Sequence, residues 1–326
     1  MLESAMVTAI LLTVITAATP LLLAATGELV VERSGVLNLG MEGMMAMGAV
    51  GGFAAANLTE STGFIGNISP QLAEFIHPTF IGVLAAAICG VITAVPFAFL
   101  VINLAANQVA TGLSLTLLGL GAAAMIGEPF LGLPGERLPA LNFFGLSNIP
   151  IIGPILFAQD GLVYFSLLLV PVVTWFLFRT RAGLSLRAVG ENHESAHNLG
   201  LNVPAIRWMA VLFGGGCAGL GGGYLSLAYT PLWTENMVAG RGWIALALVV
   251  FATWIPTRIA IGAYLFGAVT ILGFHAQSAG VPIPSQFISA LPYLATIIVL
   301  VLISRNRAKL RANTPAALGR PFVPAR

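Results

Sequence analysis

The chain has 326 residues, of which 58% are hydrophobic and 8% are charged, and its net charge is +2. Soluble domains carry about 25% charged residues, so this chain has too few charges to cover a water-facing surface, and nothing in its charge suggests a nucleic-acid partner. The apolar runs are long and continuous rather than short and alternating, which excludes a β-barrel and predicts an all-α, polytopic transmembrane bundle in membrane lipid.

Apolar runs of span length follow one another along the chain. About 20 apolar residues cross a bilayer, and windows of that size place spans at roughly 5–25, 41–57, 79–102, 107–126, 162–178, 205–229, 238–256, 258–276 and 288–304. We expect about eight to ten spans, because the stretch 27–40 and the Gly-rich part of 205–229 are candidates for broken or re-entrant helices. We therefore predict one transmembrane domain over 1–304 and a mobile tail over 305–326.

Basic residues predict the orientation of these spans. The loop 179–207 carries four arginines, and the tail 305–326 is also basic, so both are expected on the cytoplasmic side. Four predicted spans separate them, an even number, so the two assignments agree. The same counting places 27–40 inside and the loops 58–78 and 127–161 outside.

The stretch "HESAH" at 193–197 matches H-E-x-x-H. On a helix this spacing puts two imidazoles on one face to bind zinc, with the glutamate as general base. The flanking residues are polar, and the chain's one aspartate, Asp160, is not on a later span where it could complete the site. We expect no metal and no catalytic residue, and an intramembrane zinc protease is the weakest alternative.

The same residues match a second pattern. Glu194-Ser195-Ala196, followed after three residues by Gly200, is E-A-A-x-x-x-G with one Ala replaced by Ser. This pattern is similar to the cytoplasmic coupling loop of permease subunits in ABC importers. It requires a short helix, a glycine that ends it, and a polar face that fits a groove on a partner ATPase. Glu191 or Asn192 is expected to cap its start. The predicted coupling residues are thus Glu191, Asn192, Glu194, Ser195, Ala196 and Gly200.

Four further stretches extend this resemblance over nearly the whole chain. They are "GELVVERSGVLNLGMEGMM" (27–45), "NQVATGLSLTLLGLG" (107–121), "SLRAVGEN" (185–192) and "TENMVAGRGWIALALVVF" (234–251). Together they resemble the ABC importer permeases that serve branched-chain amino acids, ribose and other sugars, and nucleosides, and they are most similar to the nucleoside and simple-sugar branch. The chain departs from that pattern at His193, where proline is usual, and at Ser195.

The resemblance implies a multi-pass permease of the cell inner membrane with several partners. These are a second permease subunit, identical or related, one or more ATPase subunits that bind ATP and Mg, and a periplasmic or lipid-anchored solute-binding protein. This chain lacks the phosphate loop G-x-x-x-x-G-K-[ST], so it is expected to bind no cofactor and not to be the ATPase. The run "GGGCAGLGGG" (214–223) has no lysine, and its glycines favour close helix packing.

Polar residues in or beside predicted spans are candidates for the solute path, because burying them is costly without a role. They are Asn38, Glu42, Asn103, Asn107, Gln108, Thr111, Glu235 and Asn236. Uncharged Asn, Gln and Thr suit a neutral, hydroxyl-rich or heterocyclic solute. Each candidate also has a structural alternative: the amides cap or bridge helices, Glu42 pairs with Arg33, and Glu235 pairs with Arg241.

The main alternative function is an ion-gradient-driven secondary transporter. Such a protein needs an ionisable relay deep in the bundle. The carboxylates lie near predicted span ends, and mid-span positions are almost bare of charge, which counts against it.

Overall fold

The computed structural model describes residues 2–63, 77–141, 146–149, 152–278 and 313–323, with isolated positions between 284 and 301, so the predicted span 288–304 falls largely outside it. The regular secondary structure of these residues is helical, and no β-strand occurs among them beyond isolated bridges. The helices are α1 (Leu2–Arg33), α2 (Met41–Ser61), α3 (Pro78–Ala98), α4 (Gln108–Gly127), α5 (Ile152–Phe157), α6 (Gly161–Arg179), α7 (Arg181–Glu191), α8 (His193–Asn198), α9 (Val203–Tyr224), α10 (Arg241–Phe251) and α11 (Pro256–Ser278).

In the described part of the chain, six helices are long and apolar enough to cross a membrane, which confirms the all-α polytopic bundle. They are Met6–Arg33, Pro78–Asn103, Gln108–Phe130, Gly161–Arg179, Val203–Tyr229 and Pro256–Gln277. The predicted span 41–57 forms helix α2, which packs among α3, α4 and α9 in the centre of the bundle. The predicted span 238–256 is shorter than expected, since α10 has only 11 residues.

Among the described residues, 34–40 form a non-helical stretch between α1 and α2, which we call the first break. Helix α1 continues through 27–33, so the interruption begins later than the candidate stretch 27–40. A Cβ on Gly40 would lie 2.6 Å from the Leu115 side chain, in the middle of α4. The chain therefore turns back into the bundle before α2 begins.

A second break, residues 230–240, separates α9 from α10. Helix α9 is continuous through its glycine run, so the prediction of a broken helix within 205–229 is wrong, and the non-helical stretch follows that span instead. Helix α10 starts beside the start of α2, where a Cβ on Gly242 would lie 2.6 Å from the Glu42 Cα.

Helices α2 and α10 then diverge. Helix α2 runs towards the side where Phe53 lies against Gly135. Helix α10 runs the other way, and its end reaches Trp254, whose carbonyl oxygen accepts hydrogen bonds from the Arg33 guanidinium at the end of α1. The two helices thus begin next to each other and run in opposite directions.

Close helix packing explains the glycine run of α9. A Cβ on Gly90 of α3 would lie 2.1 Å from the Gly215 oxygen, and one on Gly48 of α2 would lie 2.3 Å from the Gly219 oxygen. Side chains at these positions would push the backbones of α2, α3 and α9 apart. The predicted role of the run in close packing is confirmed.

Part of the tail packs against the bundle. Its Ala317 N–H donates to the Gly190 oxygen at 2.9 Å, and its Gly319 N–H donates to the Gly35 oxygen at 3.1 Å. The prediction of a mobile tail is therefore wrong for residues 313–323, because these backbone bonds and the burial of Phe322 hold them. The contacts also place the tail, the loop 179–207 and the first break on the same side of the bundle. This agrees with the prediction that all three lie on the cytoplasmic side.

Candidate functional site

The segment predicted to couple to an ATPase is a short capped helix, as the sequence suggested. The Asn192 side chain accepts a hydrogen bond from the Ser195 N–H at 2.9 Å, which satisfies one free donor at the start of α8. At the other end, Gly200 has φ +85°, a left-handed conformation that favours glycine. The cap at Asn192 and the glycine stop are both confirmed.

The two faces of α8 differ in chemistry. The outward face presents exposed polar residues, and the apolar Leu199 next to them is 83% exposed. Ala196 instead faces inward, is 2% exposed, and belongs to an apolar cluster with Val189, Val203 and Phe322. Of the predicted coupling residues, those available to a partner are Glu191, Asn192, Glu194, Ser195 and Gly200.

The two histidines of the H-E-x-x-H match pack against the tail. Both rings meet Phe322 edge to face, with centroids at 5.3 Å for His193 and 5.4 Å for His197. The Nδ1 of His193 accepts a hydrogen bond from Arg207 at 3.2 Å. Partial burial and the Arg207 charge lower the pKa of His193 below its ordinary value. A guanidinium this close opposes a bound cation, and the described residues contain no group of three or more metal-ligating side chains.

At the first break, polar side chains bond backbone groups that have no partner within a helix. The Gln108 Oε1 accepts from the Leu37 N–H at 2.7 Å. The Asn38 Oδ1 accepts from the Gly40 N–H at 2.9 Å. Non-helical backbone within a membrane bundle needs such partners because no bulk water reaches it. Asn38 and Gln108, predicted to line the solute path, are buried and support the chain here.

Glu42 connects the two breaks. Its two carboxylate oxygens accept from the Gly240 N–H and the Gly242 N–H, each at 2.7 Å. Gly240 has no side chain with which to cap α10, so the Glu42 carboxylate caps it from α2, where it also faces the positive end of the helix dipole. The expected Glu42–Arg33 pair does not form between these described residues, because the Arg33 guanidinium bonds the Trp254 oxygen.

Three path candidates lie around the start of α4. Asn103 accepts from the Trp208 Nε1 at 2.8 Å, and Asn107 caps α4 by accepting from the Ala110 N–H at 3.0 Å. Thr111 is half-buried one turn further along. The first two thus have structural roles, as the alternative reading expected, although their side chains remain exposed.

The second break leaves its polar residues exposed. Glu235 and Asn236 are both exposed, and Asn236 has φ +56°, a conformation that asparagine tolerates better than most residues. Arg241 donates to the Met237 oxygen at 2.9 Å and lies over the Tyr229 ring. The expected Glu235–Arg241 ion pair does not form between these described residues.

Several buried polar residues near the first break were not predicted from the sequence as part of the site. Glu28 and Glu32 are 0% and 1% exposed. Glu28 accepts from the Asn38 N–H at 3.2 Å, and Glu32 accepts from the Trp254 indole. Thr116 donates to the Leu39 oxygen at 2.9 Å. The four-residue spacing of the two glutamates, which places them on one helix face, was the available signal.

Comparisons with known proteins agree with this architecture. The family model described as branched-chain amino acid transport system / permease component matches residues 10–303. A putative glucose ABC transporter permease protein of Haloferax volcanii is 42% identical over 93% of both chains. A nucleoside ABC transporter permease protein of Lactococcus lactis is 36% identical over 87% of this chain and 88% of its own. A guanosine ABC transporter permease protein of Bacillus subtilis is 33% identical over 94% of this chain and 93% of its own.

These matches decide between the candidate classes. The family model covers most of the chain, and the relatives align with it nearly from end to end, so neither an ion-gradient-driven transporter nor a zinc protease is favoured. ATP hydrolysis in such systems takes place on a partner ATPase, and the permease is a transport subunit. The chain belongs to the family of the branched-chain amino acid transport system permease component, and it is a multi-pass permease subunit of an ABC importer in the cell membrane.

Proposed function

We propose that this chain pairs with a second permease subunit, identical or related, and that the pair imports a nucleoside or a simple sugar. Residues 1–304 form its permease domain, and 305–326 form its tail. A periplasmic or lipid-anchored solute-binding protein delivers the solute outside, and an ATPase carrying ATP and Mg docks inside. The names of the relatives, which specify nucleoside, guanosine and glucose, support this solute class.

The observation that carries the coupling proposal is the two-faced helix α8. Its outward residues Glu194 and Ser195 are free to enter a groove of the ATPase, beside the exposed Leu199. Its inward residue Ala196 is packed against the rest of the chain, so a push on α8 moves that packing too. The small size of Ala196 thus serves the permease's own packing, and Ser195 is the better probe of the ATPase contact.

For the solute path, the exposed second break is the best candidate. Glu235 and Asn236 lie on a non-helical stretch and have exposed side chains, whereas Asn38, Glu42 and Gln108 bond backbone groups. Thr111 and the exposed amides at the start of α4 would line its inner part. We expect these mostly uncharged groups to favour a neutral solute.

The solute is tested by purifying the tagged chain and characterising what comes with it. We expect an ATPase subunit and a solute-binding protein to co-purify, and calorimetry of that binding protein to detect guanosine or another nucleoside, or glucose or another simple sugar. A binding protein that binds only charged amino acids would overturn the proposal that the solute is a nucleoside or a simple sugar.

The coupling surface is tested by two substitutions. Ser195→Trp adds bulk on the outward face, and Gly200→Val strains a residue with φ +85° by about 1 kcal/mol or more. Both should leave the spans inserted and reduce co-purified ATPase and uptake, whereas Glu128→Ala on the opposite side should change neither. Normal ATPase association in both variants would remove this segment as the docking site.

A further inference from the structure

Residues 313–323, which we call the C-terminal strap, connect elements that belong to different parts of the chain. The Ala317 N–H bonds the Gly190 oxygen at the end of α7, and the Gly319 N–H bonds the Gly35 oxygen in the first break. Those two glycines are themselves in close contact, since a Cβ on Gly35 would lie 3.3 Å from the Gly190 Cα. The strap thus crosses the point where the loop carrying α8 meets the α1–α2 connection.

Arg207 lies at the centre of this junction and is 2% exposed. Its Nε donates to the Ser34 oxygen at 3.3 Å, its Nη1 to the Arg320 oxygen at 3.3 Å, and its Nη2 to the His193 Nδ1 at 3.2 Å. One guanidinium therefore holds the first break, the strap and α8 together. Because a buried charge that loses a partner is costly, the three elements are expected to move as a unit.

The strap also supplies the surface on which the inner face of α8 rests. Phe322 is 7% exposed and packs with Val189, Ala196 and Val203. Gln108, which holds the Leu37 N–H in the first break, also contacts the strap through the Arg320 oxygen at 3.5 Å. The strap consequently touches both the inner side of α8 and the side chain that supports the entry to α2.

We propose that the C-terminal strap is a positioning element that transmits movement of α8 to the first break and so to α2. The proposal rests on the proposed docking of the ATPase at α8. When the ATPase moves α8, Phe322 and Arg207 carry that displacement to Ser34 and Gly35. Without the strap, α8 would still bind the ATPase, but its movement would reach the first break only through Arg207 and the Gly35–Gly190 contact, and so more weakly.

The test compares neighbouring strap residues of opposite burial in the purified complex with its ATPase. Phe322→Ala removes the buried ring, and Val323→Ala is the matched control because Val323 is 70% exposed. Amide hydrogen exchange is followed at 193–200 and at 34–40, before and after trapping the ATPase with ATP, Mg and vanadate. In the unmodified complex and in Val323→Ala, we expect trapping to change exchange in both segments.

In Phe322→Ala we expect the response at 193–200 to persist and the response at 34–40 to fall by at least about threefold, since a buried aromatic ring is lost. Phe322→Leu should recover part of it. Gly319→Ala is a second variant: its methyl group would meet no atom within 4 Å but would strain φ +75°. Equal responses at 34–40 in Phe322→Ala and Val323→Ala would overturn the strap proposal. An unmodified chain that binds no ATPase would instead overturn the proposed function.

Discussion

The first and second breaks are both non-helical stretches between helices. The polar side chains of the first are buried and hydrogen-bonded, whereas Glu235 and Asn236 of the second are exposed. In the first break, Asn38 is fully buried, and backbone groups of residues 37–40 bond Glu28, Asn38, Gln108 and Thr116. In the second break, Glu235 and Asn236 are exposed. The first break is therefore a fixed support, whereas the second leaves side chains free to meet a ligand.

Glu42 follows directly after the first break and shows how the two regions depend on each other. It lies in the first turn of α2, yet its carboxylate satisfies the start of α10. A cap that comes from another helix fixes the distance between α2 and α10, which a local cap would not do. The fixed support on one side thus sets the position of the open stretch on the other.

The largest expected effect is the loss of this shared cap. Glu42→Ala leaves the Gly240 and Gly242 N–H groups without their partner in a buried site, so we expect the free energy of unfolding to fall by about 3 kcal/mol or more. Glu235→Ala is the matched control, because an exposed side chain should change stability by less than about 0.5 kcal/mol. Thermal unfolding in detergent measures both. Similar stability losses would mean that the two breaks do not differ as described.

The next effect concerns the support of the first break. Gln108→Ala removes the acceptor for the buried Leu37 N–H, and we expect it to destabilise the protein by about 1–3 kcal/mol. Asn107→Ala removes only an exposed cap of α4 and should cost about 1 kcal/mol. Denaturation of the two adjacent variants separates these roles. If Asn107→Ala proves the more damaging, Gln108 is not the support that its contacts indicate.

Sequence alone predicted much of the bundle and the ends of the coupling helix. Apolar length marks a membrane span whatever its neighbours, so spans such as 162–178 were close to the observed Gly161–Arg179. Local chemistry likewise fixed the cap at Asn192 and the stop at Gly200, because a cap bonds residues two or three positions away. Features that depend on adjacent residues are therefore readable without a structure.

Features that depend on distant partners were missed. Glu42 and the residues it caps are separated by about two hundred positions, so the sequence suggested the nearer Arg33 as its partner. Ala196 seemed to face a partner protein because its inner neighbour, Phe322, lies in a tail with no apolar periodicity. In both cases the pairing follows from the packing of whole helices, which a pattern of spacing does not encode.

The open second break yields a smaller effect, on transport rather than on stability. Asn236→Gly keeps the left-handed backbone but removes the amide, so folding should be unchanged. If the amide contacts the solute, we expect maximal uptake to fall about twofold to tenfold, the size of one lost hydrogen bond. Uptake of labelled guanosine or glucose by reconstituted vesicles measures this. Asn38→Gly should instead lower stability, and unchanged uptake in Asn236→Gly would remove this residue from the path.

The smallest expected effect is a pH dependence at the edge of the first break. His193 accepts from Arg207 through Nδ1, so protonation would remove that acceptor and place a second positive charge beside Arg207 and Arg320, with exposed Glu194 opposing only in part. The burial of His193 against Phe322 and the Arg320 charge both lower the pKa of His193, and both come from the strap, so the protein with a docked strap binds fewer protons than the protein with a released strap. Docking is then strongest above the pKa that His193 has when the strap is released, and it weakens as the pH falls from there towards the lowered value.

Hydrogen exchange of the strap at decreasing pH, corrected for the intrinsic exchange rate, measures this release. His193→Asn keeps an acceptor that does not titrate, so its strap should stay docked through the same pH range. His197→Asn removes one ring contact with Phe322 but leaves His193 and Arg207 in place, so it should keep the pH response of the unmodified chain. A pH response that survives in His193→Asn would assign the titration to another group. If the pH response is lost only in His193→Asn, then the protonation of one residue on α8 controls the stability of the first break through Arg207.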